Sequence, residues 1–289
     1  MKLTRKLLLF IAILQLALVS CKKDSDEDEL YKTTESYTLT NIAYSSNNYQ
    51  NMDIYLPAGR SSGKTKVFVL IHGGSWNSGD KADLATYFNM LKGLFPNHAI
   101  ANINYRLGTV ESPGYTKQLD DVKAALEHLQ SDQYHINKDY FLIGASAGAH
   151  LAMLYGYTNA TKGQVKGICN TVGPTDFTDP AYTTNPVFAQ AVTGLVGNIK
   201  YADNPQLFAN LSPVTHVTAQ APKTISFFGD QDPLIPVSQK DRLHDKLNRL
   251  NVVNEAYVYA GQGHGDWNDA VANDFALKLM AFINAHFNY

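Results

Sequence analysis

The stretch Tyr140-Phe141-Leu142-Ile143-Gly144-Ala145-Ser146-Ala147-Gly148-Ala149-His150-Leu151-Ala152-Met153-Leu154-Tyr155 decides how the chain is read. Tyr140 to Gly144 is a short apolar run, as expected of a strand. Ser146 to Tyr155 reads as a helix. Between them Gly144-Ala145-Ser146-Ala147-Gly148 matches a Gly-x-Ser-x-Gly turn, which places a serine at the apex of a sharp strand-to-helix bend. Such a bend holds the serine in a strained backbone conformation. The flanking glycines keep the neighbouring strand and helix free of clashes. Five-residue glycine patterns also arise by chance. The strand before and the helix after give this one its meaning.

The same alternation extends outward in both directions. Upstream, Lys66 to Ile71 is a continuous apolar run, the mark of a strand buried on both faces. Asp80 to Leu94 has helical spacing, with Leu84, Tyr87, Phe88 and Leu91 on one face. Ala99 to Tyr105 is strand and Thr116 to Leu129 helix, striped by Leu119, Val122, Ala125, Leu126 and Leu129. Ser36 to Ser45 and Asn51 to Leu56 read as paired strands around Asn47-Asn48. Downstream follow strands at Val165 to Val172, Lys223 to Phe228 and Ala256 to Tyr259, with helices at Val237 to Leu250 and Trp267 to Phe287. Strands and helices in alternation predict an α/β fold, a mostly parallel central sheet with helices on both faces. Residues 177–222 break the rhythm and are expected to form a small helical cap. No linker divides residues 36–289, which read as one domain.

A bare serine is a poor nucleophile and needs a base to take its proton. Nine histidines are present. His264 lies in Gly261-Gln262-Gly263-His264-Gly265, directly after the last expected strand, and loops at the carboxyl ends of parallel strands are where such sites assemble. His244 is expected on a polar helix face, His286 near the terminus, His216 in a structural role and His150 packed behind the turn. The base needs a carboxylate to orient it. Asp230 and Asp232, in Phe228-Gly229-Asp230-Gln231-Asp232-Pro233, stand between a strand and a helix. Asp266 reads instead as a helix N-cap. Acyl transfer also needs hydrogen-bond donors for the developing oxyanion. His72-Gly73-Gly74-Ser75-Trp76 follows a strand, and its glycines free the backbone N–H groups to turn inward; which of Gly73, Gly74 and Ser75 do so is left open.

Together these motifs resemble the α/β-hydrolase fold, in the esterase branch that includes hormone-sensitive-lipase-like carboxylesterases. Closer still, the chain from Ser36 to Phe287 is similar to the bifunctional feruloyl and acetyl xylan esterase-like group. The shared features are His72-Gly73-Gly74-Ser75-Trp76, Gly79-Asp80-Lys81, Asn104-Tyr105-Arg106, Gly144-Ala145-Ser146-Ala147-Gly148, Ser212-Pro213-Val214 and His264-Gly265. The resemblance implies a catalytic triad of Ser146, Asp232 and His264, and an oxyanion hole from the N–H groups of Gly74, Ser75 and Ala147. It also implies His72, Gly73 and Trp76 at the substrate. It implies no metal and no cofactor, and as substrate a small-molecule or carbohydrate ester, short-chain acyl or feruloyl, on plant polysaccharide. The departure is Ser75, where many esterases have a third glycine. Kynurenine formamidases also carry His-Gly-Gly-x-Trp, so an amidase or peptidase-type hydrolase is the competing reading; a non-catalytic surface binding protein is a third.

Composition bounds the rest. The hydrophobic share is 45% and the charged share 17%, which supplies a sizeable core. A formal charge of −2 gives no basic face for nucleic acid. Glycine loops with the spacing of dinucleotide or nucleotide sites are absent from the sequence. At the N-terminus, Lys2, Arg5 and Lys6 precede a mainly apolar run from Leu7 to Val19, the length of a signal-peptide core and short of a membrane span. The run ends Leu18-Val19-Ser20-Cys21, which resembles a bacterial lipoprotein box. That resemblance implies removal of residues 1–20, a lipid on Cys21 and an exported protein of the cell envelope, held to the membrane by its anchor alone. Lys22 to Glu29 then reads as part of a solvated acidic tether over 21–35. With Cys21 lipidated, Cys169 has no disulfide partner and is expected as a buried structural thiol.

Overall fold

Tyr140–Ala145 is a strand with every residue but Ala145 buried, because both of its faces are covered by helices. The computed structural model describes residues 30–288. Its strands are β1 (Tyr37–Ala43), β2 (Asn51–Leu56), β3 (Val67–Ile71), β4 (Ala99–Ile103), β5 (Tyr140–Ala145), β6 (Val165–Thr171), β7 (Lys223–Gly229) and β8 (Asn254–Tyr259). They form one sheet in the order β1-β2-β4-β3-β5-β6-β7-β8. β1 and β2 pair antiparallel, as do β2 and β4; every pairing from β4 through β3 to β8 is parallel. β3, β4 and β5 are almost wholly buried, as expected of central strands, and the side-chain amide of Asn102 in β4 donates to Lys81 O.

The helices are α1 (Ala85–Leu94), α2 (Lys117–His128), α3 (Ala147–Thr158), α4 (Pro180–Thr183), α5 (Pro186–Ala191), α6 (Thr193–Val196), α7 (Pro205–Leu211), α8 (Ser238–Arg249) and α9 (Asp269–His286). Phe88 and Leu91 of α1 and Phe275, Leu279, Phe282 and Ile283 of α9 pack with Phe68 and Phe141 on one face of the sheet. Val122 and Leu126 of α2, Leu151 of α3 and Leu243 and Leu247 of α8 join the core on the other, which also takes in Phe188, Leu195, Phe208 and Leu211 from α5–α7. The segment expected as a cap therefore holds four short helices.

Several boundaries shift. The expected helix over 80–94 is two elements: Asp80 caps a 3₁₀ turn at Lys81–Leu84 through a reciprocal capping box, and α1 follows. The cap of α9 is Asn268, whose side chain accepts from Val271 N–H, rather than Asp266. Asp266 lies too early to reach the first free N–H groups of a helix starting at Asp269. Tyr31 already packs between Tyr37 and Tyr134, so the folded body begins inside the expected tether. The expected signal segment, Cys21 and its lipid lie outside the described residues. Among the described residues no helix is long and apolar enough to cross a membrane.

Candidate active site

The turn between β5 and α3 puts Ser146 at φ 52° and ψ −118°, a conformation uncommon for any residue but glycine. Three contacts hold it there. Ser146 N–H donates to Thr171 O at the end of β6 (2.8 Å), and His150 N–H donates to Ser146 O (3.0 Å), starting the helix. The third is close packing of α3 against β3: a Cβ on Gly148 would stand 2.1 Å from Ile71 O, so only glycine fits.

His264 reaches the serine from the loop after β8. Its Nε2 lies 2.9 Å from Ser146 Oγ, and its Nδ1 lies 2.7 Å from Asp232 Oδ2. The Asp232 carboxylate has no exposed area, whereas the His264 side chain is 23% exposed. Asp232 Oδ1 accepts the N–H groups of Leu234 (2.8 Å) and Ile235 (2.9 Å), which leaves Oδ2 for the imidazole. An ionised carboxylate only accepts, so Nδ1 donates to it and Nε2 turns its lone pair to the serine hydroxyl. Asp230 sits outside this line. Its Oδ1 accepts Gly261 N–H (2.7 Å), and Gln231 N–H bonds Gln262 O (2.9 Å), so it braces the acid loop against the histidine loop.

The loop after β3 lies against the elbow: a Cβ on Gly73 would stand 3.4 Å from Ser146 Cβ. Gly74, Ser75 and Trp76 all have positive φ (104°, 49° and 62°). At Gly74 a side chain would strike Ser78 O at 2.2 Å, and Gly74 O accepts the N–H groups of Asn77 and Ser78. Ala147 opens α3, so its N–H has no partner within the helix. Gly73 and Ala147 thus adjoin Ser146, and Gly74 and Ser75 follow Gly73 in the same loop.

His72 and Trp76 are not where a substrate-facing role requires. His72 has no exposed area; its ring stacks on Tyr105 (4.2 Å between centroids) and burial lowers its pKa. Trp76 is 3% exposed, and its Nε1–H donates to His150 Nδ1 (3.0 Å). Both are pulled inward because the loop bends back beneath itself, and they support it rather than line a pocket. His150 Nε2 in turn donates to Leu211 O (2.9 Å), and burial pushes its pKa down to about 4. His244 is a further correction: it is buried, with Nδ1 against Asn254 Oδ1 (2.7 Å), because α8 packs that side on β8. His216 Nε2 bonds Asn210 O, and His286 packs edge-on against Phe282. Cys169 is fully buried, its thiol pushed up to about 12.

Tyr105 is the support that the motif reading passed over. Its hydroxyl donates to His72 O (2.9 Å) and Gly73 O (3.2 Å), fixing the loop from below. The signal was present in Asn104-Tyr105-Arg106, read only as a shared motif. An apolar cavity of about 540 Å³ opens within the cap, lined by Phe177, Tyr182, Phe188, Val192, Tyr201 and Phe208. None of Ser146, Asp232 or His264 borders it.

A mostly parallel sheet covered on both faces, with a serine at the strand–helix elbow and acid and histidine loops at the strand ends that follow it, defines the α/β-hydrolase fold. The BD-FAE family model matches residues 52–247, and the chain belongs to that family. It is 22% identical over 239 residues to Esterase LipC of Mycobacterium tuberculosis, covering 78% of this chain and 59% of that protein. Among solved structures it is similar to a bifunctional GH43-CE protein of Bacteroides eggerthii, with a TM-score of 0.71 at 25% identity over 85% of this chain and 38% of that one. A truncated carbohydrate esterase from gut microbiota shares the fold at a TM-score of 0.69 and 22% identity, over 87% of this chain and 99% of that one. The chain spans between 48% and 59% of the length of the curated relatives it matches.

Proposed function

We propose that this chain is a serine carboxylic-ester hydrolase acting on short-chain acyl or feruloyl esters carried by plant polysaccharides or oligosaccharides. The observation that carries the reading is the unbroken line Asp232 Oδ2–His264 Nδ1, His264 Nε2–Ser146 Oγ, at 2.7 and 2.9 Å, beside the Gly73–Ser75 loop. Membership of the BD-FAE family and relatives named esterase support the reaction class. The carbohydrate esterase among its structural neighbours motivates the substrate class.

The chemistry proceeds in two halves. His264 Nε2 takes the proton of Ser146 as Oγ attacks the ester carbonyl, and Asp232 holds the imidazolium that forms. The negative charge on the carbonyl oxygen is received by N–H groups of Gly74, Ser75 and Ala147. The alcohol departs with the proton from His264. Water then gives a proton to His264, attacks the acyl-enzyme, and releases the acid and free Ser146. The buried, doubly hydrogen-bonded Asp232 fixes the tautomer that this cycle needs.

The test is hydrolysis of acetyl, butyryl, octanoyl and feruloyl esters against an anilide and an N-formyl amide, with Ser146→Ala as control. Acetyl or feruloyl esters are expected to be cleaved fastest. Ser146→Ala should keep the fold and lose about 10⁶-fold in kcat, the loss seen when a serine protease is stripped of its nucleophile. Substantial turnover by that variant would overturn the assignment, and amide cleavage without ester preference would replace the reaction class.

A further inference from the structure

A groove of about 550 Å³ shares Asn77 with the turn that follows Gly74 and is bordered by Tyr49, Arg106, Thr109, Ser112 and Lys117. It is tied to the Gly73–Asn77 loop: Gly108 N–H and Gln118 Nε2 both donate to Trp76 O (2.8 and 2.7 Å). One buried carboxylate organises its walls. Asp121 has no exposed area and accepts from Gln50 Nε2 (2.6 Å), Arg106 N (2.7 Å), Arg106 Nε (2.9 Å) and Arg106 Nη2 (2.6 Å). Gln50 closes the β1–β2 turn through Asn47 N–H (3.0 Å), and Asn47 Oδ1 accepts Tyr49 N–H (3.0 Å). Asp121 therefore holds both the turn that displays Tyr49, 48% exposed, and the guanidinium beside it.

Two cations of the groove, Arg106 and Lys117, stand beside one buried carboxylate. Asp121 pairs with Arg106, whose Nη1 takes no part in that pairing. Lys117 donates to Ser112 O (2.7 Å) and Ser112 Oγ (2.9 Å), both neutral, and has no carboxylate partner among the described residues. Burial and the nearby Arg106 lower its pKa, as expected for an ammonium facing a second cation. Asp120 lies close enough to act on Arg106, and Asp121 acts on Lys117 as well as on Arg106. A guanidinium edge beside an ammonium suits a carboxylate. The exposed tyrosine ring offers a flat apolar face with a polar tip, suited to a sugar ring, and the Asn77 amide and the Thr109 and Ser112 hydroxyls suit its hydroxyl groups.

We propose that this groove binds a uronic-acid residue of the carbohydrate that bears the ester, so that acidic glycans are the preferred substrates; this rests on the hydrolase reading above. The assay is calorimetric titration of the Ser146→Ala chain with a xylo-oligosaccharide carrying one glucuronic-acid branch and with its unbranched counterpart. The acidic oligomer should bind about ten-fold tighter or better, and raising the salt to about 0.5 M should erase the difference. Lys117→Gln should remove the preference while neutral affinity persists, Lys117→Arg should restore it, and Tyr49→Ala should weaken both oligomers. Equal affinity for the two oligomers, binding of neither, or a preference that survives Lys117→Gln would overturn the proposal. Cleavage of p-nitrophenyl acetate by the unmodified chain reports separately: turnover without an acidic preference defeats this inference alone, and no turnover of any ester defeats the hydrolase reading beneath it.

Discussion

Ser146 occupies a backbone conformation that costs on the order of 1–3 kcal/mol, and it persists because Thr171, His150 and the glycine gap at Gly148 leave it no alternative. The residue held in this costly bend is also the one whose Oγ lies 2.9 Å from His264 Nε2. His150, four residues on, shows how burial selects a protonation state. Its Nδ1 accepts from Trp76 and its Nε2 donates to Leu211 O, so only the neutral ring fits. Burial sets its folded pKa at about 4, against an ordinary value near 6.5. Above pH about 6.5 both folded and unfolded chains hold it neutral, and it makes no pH-dependent contribution. Between about 6.5 and 4 the unfolded chain takes the proton first, so stability is lost as pH falls, on the order of 3 kcal/mol in all. His72, His98 and His244 are lowered by burial in the same direction. The melting temperature is therefore expected to drop between pH about 7 and 4.5. His150→Gln, which keeps one donor and one acceptor, should show a shallower drop. Parallel melting profiles for the two proteins would show that His150 is not held neutral in this way.

At the scale of elements, three of the four cap helices share one device. Asp179, Asn185 and Asn204 each place a side-chain oxygen on a first-turn N–H, and Pro180, Pro186 and Pro205 follow directly. An Asx–Pro pair sets both the cap and the first φ, which suits helices too short to stand on propensity alone. The three pairs stand in the sequence, but the mixed polarity of the segment gives no helical stripe, so it read only as a small helical cap without element bounds. The C-terminal helix gives a sharper test. Asn268 caps α9 through Val271 N–H, and Asn268→Ala should cost about 1 kcal/mol, lowering the melting temperature by about 2–4 °C in a domain of this size. Asp266→Ala should leave melting nearly unchanged. The opposite ranking of the two variants in thermal denaturation would restore Asp266 as the cap.

At the scale of the whole molecule, α8 fastens the start of the cap. Gln239, fully buried, accepts the N–H groups of Thr175 and Asp176 (both 2.8 Å) and donates to Asp179 Oδ2 (2.8 Å). Arg242 adds ion pairs to Asp176 and Asp179 from the next turn. The loop at Asp232 immediately precedes α8, so one helix anchors both that loop and the cap. Gln239→Ala strands several buried polar groups at a cost of about 3 kcal/mol, a fall of roughly 6–12 °C in melting temperature. Limited proteolysis should then cut first within residues 177–212; a cleavage pattern and melting curve identical to the parent's would show that this fastening is dispensable. The strand–helix alternation was legible in the chain itself, because strands buried on both faces must be continuous apolar runs and amphipathic helices must carry a stripe. So was the elbow at Ser146, since no other residue pattern relieves the contact at Gly148. The candidate role of His264 was suggested by its loop after the last strand, and that of Asp232 over Asp230 by the resemblance to α/β-hydrolase esterases. Tertiary structure alone decided the rest. Ser146 and His264 are 118 residues apart, and His264 and Asp232 32 apart, yet they meet within 2.9 and 2.7 Å. His72, Trp76 and His244 turn inward, and Asp121 gathers Gln50 and Arg106. These contacts follow from the order β2-β4-β3-β5 and the packing of α2, α3 and α8 upon it, and local periodicity records which residues are buried but not which distant ones they are buried against.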